Sequence, residues 1–135
     1  MSGWTSMSGR YLLDTNVVIA LFRGDAEVQA RYEVVQEAFV PSVTLGELYF
    51  GAANSSRQEA NTGRVEEFAA FCAVIGTDAV TAQHYGLLKA QLKKKGRPIP
   101  ENDLWIAACA LQHGLILATR DGHFNDIEGL QLQAW

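Results

Sequence analysis

Four carboxylates occupy junctions between predicted strands and predicted helices. They are Asp14 in YLLDTN, Glu47 in SVTLGELYFG, Asp103 in PENDLWIAA and Asp121 in LILATRDGHF. Gathering like charges in a compact fold costs Coulomb energy unless an opposite charge is present. The residue types therefore predict that this acidic quartet holds a divalent metal ion.

The ligand chemistry narrows the class of metal. Carboxylate oxygens without a paired histidine select Mg²⁺ or Mn²⁺ over zinc or copper. Cys72 and Cys109 stand in apolar stretches with no partner at zinc-ligand spacing, so we predict two reduced core thiols. Sites for Mg²⁺ or Mn²⁺ commonly serve phosphoryl chemistry, in which the metal activates water and offsets charge on the phosphate oxygens.

Strands that alternate with helices position the quartet. The pattern predicts strands at 11–13, 39–40, 73–75, 115–118 and 130–133, and helices at 17–22, 25–37, 57–71, 78–95 and 103–112, with a further helix that begins near 42 and carries Glu47. This alternation predicts a single α/β domain with a parallel central sheet of about four to five strands, flanked by helices on both sides.

The predicted sheet explains where the acids stand. In parallel sheets ligands bind outside the carboxyl ends of the strands, which is where Asp14 and Asp121 fall. Asp103 and Glu47 fall near helix N-termini, whose positive dipole ends stabilise ionised carboxylates. Each acid could also be a simple helix cap or dipole partner. All four at one edge of the sheet are better explained by a functional site.

Length and charge limit the class of protein. The 135 residues suffice for one domain and are too few for two. Residues 1–9 are small and polar apart from Trp4 and two methionines, so we assign them to a flexible N-terminal tail and residues 10–135 to the domain. The net charge of -4 argues against binding nucleic acid through bulk electrostatics. It is compatible with an enzyme acting on nucleic acid, because bound cations can supply the counter-charge. No apolar run is long enough to cross a bilayer and no leader pattern is present, which predicts a cytoplasmic protein without membrane contact.

The acidic motifs together resemble a known family. The segments YLLDTNVVIALF, PSVTLGELYFGA and IPENDLWIAACALQHGLILATRD are similar to those of the PIN-domain nucleases, and most closely to the VapC-type toxins of bacterial toxin–antitoxin pairs. The resemblance covers residues 10–132. It implies a metal-dependent endoribonuclease that cuts single-stranded or loop RNA. It also implies a homodimer and a small antitoxin protein that holds the enzyme inactive.

The resemblance also implies roles for the quartet and its neighbours. We expect Asp14 and Asp103 to be direct metal ligands, Glu47 to be a water-mediated ligand or base, and Asp121 to support the metal from outside. Asn16 and Thr119 match supporting polar positions of the family, whereas Asp121 and His123 depart from it. Relatives often carry Asn where Asp121 stands and an acidic residue where His123 stands.

Several cationic residues have two interpretations. Arg120 either holds a substrate phosphate or pairs with the neighbouring Asp121. Lys94 and Arg97 belong to a basic run that is either a solvated helix end or an RNA-phosphate contact. We assign structural roles to His84 and His113, and leave the role of His123 open because it lies two residues from Asp121.

Two other classes of protein remain as alternatives. A metal-dependent phosphatase or phosphoacceptor domain would need a second Asp two residues after Asp14, where Asn16 stands. A catalytically silent binding module descended from a nuclease is harder to separate from an enzyme. The presence of all four acids argues against it, and a metal-dependent cleavage assay decides between the two.

Overall fold

The computed structural model describes residues 7–135 as one α/β domain. Its strands are β1 (Met7–Leu13), β2 (Val35–Pro41), β3 (Ala73–Ile75), β4 (Ile116–Thr119) and β5 (Leu132–Ala134). Its helices are α1 (Thr15–Phe22), α2 (Ala26–Val34), α3 (Ser42–Ala53), α4 (Gln58–Phe71), α5 (Ala79–Lys94) and α6 (Glu101–His113), and a short 3₁₀ helix spans Gly122–Asp126. None of the helices between residues 7 and 135 is long and apolar enough to cross a membrane.

The five strands form a single parallel sheet in the order β3-β2-β1-β4-β5. The chain adds β2 and β3 on one side of β1, then crosses back and adds β4 and β5 on the other side. The direction of winding therefore reverses between β1 and β4. A crevice at the carboxyl ends of these two strands is the usual ligand site of such a sheet.

Apolar layers cover both faces of the sheet, which confirms the predicted architecture. Along β1, Leu12 packs with side chains of α5 and α6, whereas Tyr11 and Leu13 pack with side chains of α1 to α4. Successive strand residues point to opposite faces, so one short strand contributes to both layers. The two layers fix β1 between its neighbours and thereby fix the residues that follow it.

One predicted helix is too long. The helix expected over 25–37 ends at Val34, and the next residues open β2. Within β2, Glu37 pairs with Arg10 and Ala38 pairs with Tyr11 in a parallel ladder. Backbone pairing with β1 overrides the local helical pattern, because each ladder hydrogen bond satisfies groups that would otherwise be buried without partners.

Other boundaries also shift by a few residues. β1 begins at Met7, so the tail predicted over 1–9 overlaps a strand, and the remainder of that tail, 1–6, lies outside the described residues. α6 begins at Glu101, which places Asp103 within its first turn. The 3₁₀ helix was not predicted. It is anchored by Phe124, whose side chain is fully buried against α6 and β4 residues.

The burial of Phe124 predicts that this side chain contributes strongly to the free energy of unfolding. Replacing Phe124, which is 0% exposed, by alanine should lower the free energy of unfolding by about 3–5 kcal/mol, because the change leaves a cavity. The matched change at Phe71, which is 86% exposed, should cost about 0.5 kcal/mol or less. Urea denaturation of both variants measures the difference, and equal costs would contradict this packing.

Candidate active site

Asp14 lies at the switch point, where the end of β1 meets the end of β4. Its backbone N–H donates to the carbonyl of Ala118 at 3.0 Å, which extends the ladder between the strands. Its Oδ1 accepts from the Thr15 N–H at 2.8 Å, so Asp14 also caps α1. Its Oδ2 accepts from Thr119 Oγ1 at 2.7 Å. The carboxylate is therefore fixed in orientation by groups from both strand ends.

The environment of Asp14 disfavours its charged form. The residue is only 4% exposed, and burial raises the pKa of its carboxyl from 3.8 to about 6. The hydrogen bonds from Thr119 and Thr15 oppose this increase, whereas the charges of Asp103 and Asp121 add to it. Asp14 is thus a helix cap that also carries uncompensated negative charge.

Asp103, Asp121 and His123 form a second part of the site. Asp103 projects from the first turn of α6, and Asp121 caps the 3₁₀ helix by accepting from the His123 N–H at 2.9 Å. The His123 Nδ1 lies 3.1 Å from Asp103 Oδ2 and 3.0 Å from Asp121 Oδ2. The three residues offer ligand atoms that all lie within 4.8 Å of one another.

The pKa values of Asp103 and His123 depend on the acids around them. Burial raises the pKa of Asp103, and the nearby charges of Asp121 and Glu47 contribute in the same direction. The hydrogen bond with Asp103 raises the pKa of His123, and the charges of Asp121 and Asp14 add to that effect. All four acids therefore act on one another or on His123, and belong to one electrostatic cluster.

Glu47 is held in place by two threonines that sequence reasoning missed. The Thr15 hydroxyl donates to Glu47 Oε1 at 2.7 Å and lies 3.2 Å from the hydroxyl of Thr44, which is fully buried. Thr15 follows Asp14 directly, and Thr44 lies one turn before Glu47 on α3. The signal in the sequence was a threonine next to Asp14 and another one turn before Glu47. Only the packing of α1 against α3 shows that these two threonines are in contact.

Thr119 links two members of the quartet. Its hydroxyl donates to Asp14 and accepts from the backbone N–H of Asp121 at 2.9 Å. Asn16 Oδ1 accepts from the Arg120 N–H at 3.4 Å, at the edge of hydrogen-bonding distance. Both residues predicted to support the site thus lie against its backbone or its acids.

Arg120 does not pair with Asp121. Its Nη2 lies 2.8 Å from Asp25 Oδ2, and its Nε donates to the carbonyl of Trp135 at 3.0 Å. Arg120 thereby links the residue before α2 to the C-terminal residue of the chain. The side chain nevertheless lines an open cleft of about 560 Å³, which also contains Asn16 and Arg23.

Lys94 and Arg97 lie apart from the acids in the contacts that the structure shows. Within residues 7–135 their side chains make no hydrogen bond or ion pair with the quartet. The neighbouring Lys95 is paired with Glu128 at 3.2 Å. Both Lys94 and Arg97 are exposed near the end of α5.

The donor set of this site fits a hard divalent cation. It presents several carboxylate oxygens at one edge of the sheet, where burial first and the neighbouring acids second raise the pKa values of Asp14 and Asp103. Asp14, Asp103 and Asp121 are the residues that would hold the ion, with Glu47 at the rim. Mg²⁺ and Mn²⁺ both accept such oxygen ligands.

A parallel sheet with a cluster of four acids near the point where its strand order reverses is typical of α/β proteins that bind a divalent cation. Within that class the match is specific: the PIN domain family model covers residues 11–130, and the chain belongs to this family.

Proteins and solved structures similar to this chain agree with that assignment. The chain is 36% identical to the ribonuclease VapC2 of Haemophilus influenzae over 129 residues, covering 93% of this chain and 98% of the relative. It is 35% identical, with the same coverage, to the tRNA(fMet)-specific endonuclease VapC of Shigella flexneri. The DNA-bound VapBC structure of Salmonella typhimurium contains a chain with a TM-score of 0.88 at 30% identity, covering 95% of this chain and 99% of that one.

The shifted pKa of Asp14 predicts a pH-dependent stability in EDTA. The folded carboxyl binds its proton more tightly than the unfolded one, so wild type should lose stability relative to Asp14→Asn as the pH rises from about 4 to 7. The difference between 3.8 and about 6 corresponds to about 3 kcal/mol. Urea denaturation at several pH values measures it.

Asp25 serves as the control, because its pKa is shifted in the opposite direction to that of Asp14. Hydrogen bonds from the Val28 N–H and from Arg120 lower the pKa of Asp25, so its contribution should be lost as the pH falls below about 4. Asp25→Asn should therefore differ most from wild type above that pH. A wild-type advantage over Asp14→Asn that grows with pH would contradict the burial of Asp14.

Proposed function

We propose that this protein is a divalent-metal-dependent endoribonuclease that cuts single-stranded or loop RNA and is the toxin of a toxin–antitoxin pair. The observation that carries the proposal is the convergence of Asp14, Glu47, Asp103 and Asp121 at the switch point of a PIN domain. The relatives named as ribonucleases support an RNA substrate. A cytoplasmic location, where RNA is available, belongs to the same proposal.

The four acids would have different roles in phosphodiester hydrolysis. A bound Mg²⁺ or Mn²⁺ would lower the pKa of a water molecule and offset charge on the phosphate oxygens. Asp14 and Asp103 would hold the ion, and the hydrogen bonds from Thr119 and Thr15 keep Asp14 in one orientation. Asp121 is fixed through Oδ1 by the 3₁₀ helix, which leaves Oδ2 directed toward Asp103 and His123.

Glu47 is placed to handle a proton. Its Oε1 accepts from Thr15, and the second carboxylate oxygen has no hydrogen-bond donor among the described residues. A carboxylate held at one oxygen can accept a proton from water at the other. Glu47 also lines a cleft between α1 and α3, together with Thr15 and Phe50.

A partner-binding role is consistent with the surface. Phe50 is 72% exposed beside that cleft, and Phe71 and Leu87 are also strongly exposed apolar side chains. Exposed apolar patches mark protein interfaces. Several of the similar solved structures are VapBC complexes, and one is described as a toxin-antitoxin system, which supports an antitoxin protein as partner. The homodimer expected from the family resemblance belongs to the same proposal. A basic antitoxin side chain reaching the quartet would neutralise the site.

The first test of the proposal is metal-dependent cleavage. The purified protein, freed of any partner, should cleave single-stranded RNA with Mg²⁺ or Mn²⁺ and stop in EDTA. Asp103→Asn should lower the rate at least about 100-fold, because an amide is a weaker ligand than a carboxylate. Circular dichroism should show that the variant is folded.

A matched control separates catalysis from surface charge. Asp126→Asn removes one exposed carboxylate near the site in sequence and should cleave at the wild-type rate. Equal cleavage in EDTA, or no cleavage of any RNA with either metal, would overturn the proposal. The second result would favour the silent binding module.

The cleft lined by Arg23 and Arg120 predicts the path of the RNA backbone. In an Asp103→Asn background, which should bind RNA without cutting it, Arg23→Ala should weaken binding and lower the slope of log Kd against log salt by about 1. Arg120→Ala should also lose stability, because its salt bridge with Asp25 is removed. Fluorescence anisotropy at several salt concentrations measures the binding.

Variants of equal charge change serve as controls for the RNA path. Arg31, which pairs with Glu27 on α2, does not line the cleft, and Arg31→Ala should bind as the parent does. Lys94→Ala and Arg97→Ala test the other candidate RNA contacts. If Arg23→Ala binds RNA as its parent does and Lys94→Ala binds RNA weakly, the RNA backbone runs past the end of α5 and not through the cleft.

A further inference from the structure

His123 stands between two carboxylates that belong to different elements. Its Nδ1 lies 3.1 Å from Asp103 Oδ2 on α6 and 3.0 Å from Asp121 Oδ2 before the 3₁₀ helix. Its backbone N–H is bound to Asp121 Oδ1, and the next side chain, Phe124, is fully buried. The backbone of His123 is therefore anchored on both sides, and its ring reaches the acids from a fixed position.

The spacing of these atoms matches that of ligands sharing one ion. Two ligand atoms that lie about 2.1 Å from a metal at right angles are separated by about 3 Å. The two contacts of Nδ1 have this length, and all three ligand atoms lie within 4.8 Å of one another. A metal seated among them would replace the direct contacts between imidazole and carboxylates without moving the backbone.

We infer that His123 binds the metal through Nδ1 and makes the site selective for Mn²⁺ over Mg²⁺. The inference rests on the proposed function, because it concerns the same metal. Imidazole nitrogen suits transition metals, whereas Mg²⁺ takes oxygen ligands almost exclusively. Two carboxylates and one imidazole therefore form a mixed donor set that favours Mn²⁺ and the later divalent transition metals.

The alternative to a metal ligand is a protonated His123 whose positive charge occupies the place of the metal ion. A charged imidazolium at the same place would neutralise the acids and compete with the metal. The two roles predict opposite effects of removing the ring. Loss of a ligand weakens metal binding, whereas loss of a competitor strengthens it.

The test measures metal binding directly and does not depend on cleavage. Isothermal titration calorimetry at pH 8 gives the Kd of Mn²⁺ and of Mg²⁺ for the whole metal-stripped protein. His123→Ala should weaken Mn²⁺ binding about tenfold or more and change Mg²⁺ binding much less. His123→Glu, which restores an oxygen ligand and is an independent check on folding, should bind Mg²⁺ at least as well as wild type while its preference for Mn²⁺ falls.

Pulsed electron paramagnetic resonance of bound Mn²⁺ identifies the ligand itself. Wild type should show coupling of the ion to a histidine nitrogen, and His123→Ala should lack it. The control His84→Ala changes a histidine on α5 that has no contact with the acids within the described residues, and the coupling should persist. Unchanged or tighter Mn²⁺ binding by His123→Ala, or no nitrogen coupling in wild type, would overturn the inference.

One further variant distinguishes this inference from the proposed function. Asp103→Asn should weaken the binding of both ions, because it removes a carboxylate from the site. Metal binding that depends on Asp103 but not on His123 would overturn only the role of the histidine. If Asp103→Asn binds both ions as wild type does, the metal site itself is misplaced and both proposals fail.

Discussion

The buried carboxylate of Asp14 is the constraint on which the site depends. It ends β1, caps α1 and accepts a hydrogen bond from Thr119 at the end of β4, so one side chain joins three elements. A carboxylate in this position is costly, because burial and two neighbouring acids disfavour its charge. The fold tolerates the cost because both carboxylate oxygens accept hydrogen bonds.

The remaining acids extend this cluster from elements that are separate in the chain. Glu47 arrives on α3, Asp103 on α6 and Asp121 on the turn after β4, and each is held by a different local contact. Rigid placement on helix starts and strand ends keeps the acids close despite their repulsion. The site is thus preorganised for a cation, and the imidazole of His123 lies against two of the acids at one corner.

Substrate and partner surfaces surround the same edge of the sheet. The protein carries a net charge of -4, so under the proposed function its affinity for RNA would come from a bound metal ion and from a few well-placed cations. Arg23 and Arg120 line one cleft, whereas Phe50 and Glu47 line a second cleft, and Ile19 belongs to both. A partner that covers both clefts would block the substrate and neutralise the acids together.

The sequence by itself determined the parallel α/β fold and the four acids, because apolar runs that end in Asp14 and Asp121, and helices that begin near Glu47 and Asp103, are local patterns. It could not determine contacts between distant segments. Arg120 pairs with Asp25 and not with its neighbour Asp121, although 95 positions separate the two partners. The last residues of the helix predicted through 37 belong to β2 for a similar reason, since β1 supplies their hydrogen bonds. Which strands lie side by side decides such contacts, and only the tertiary structure specifies that arrangement.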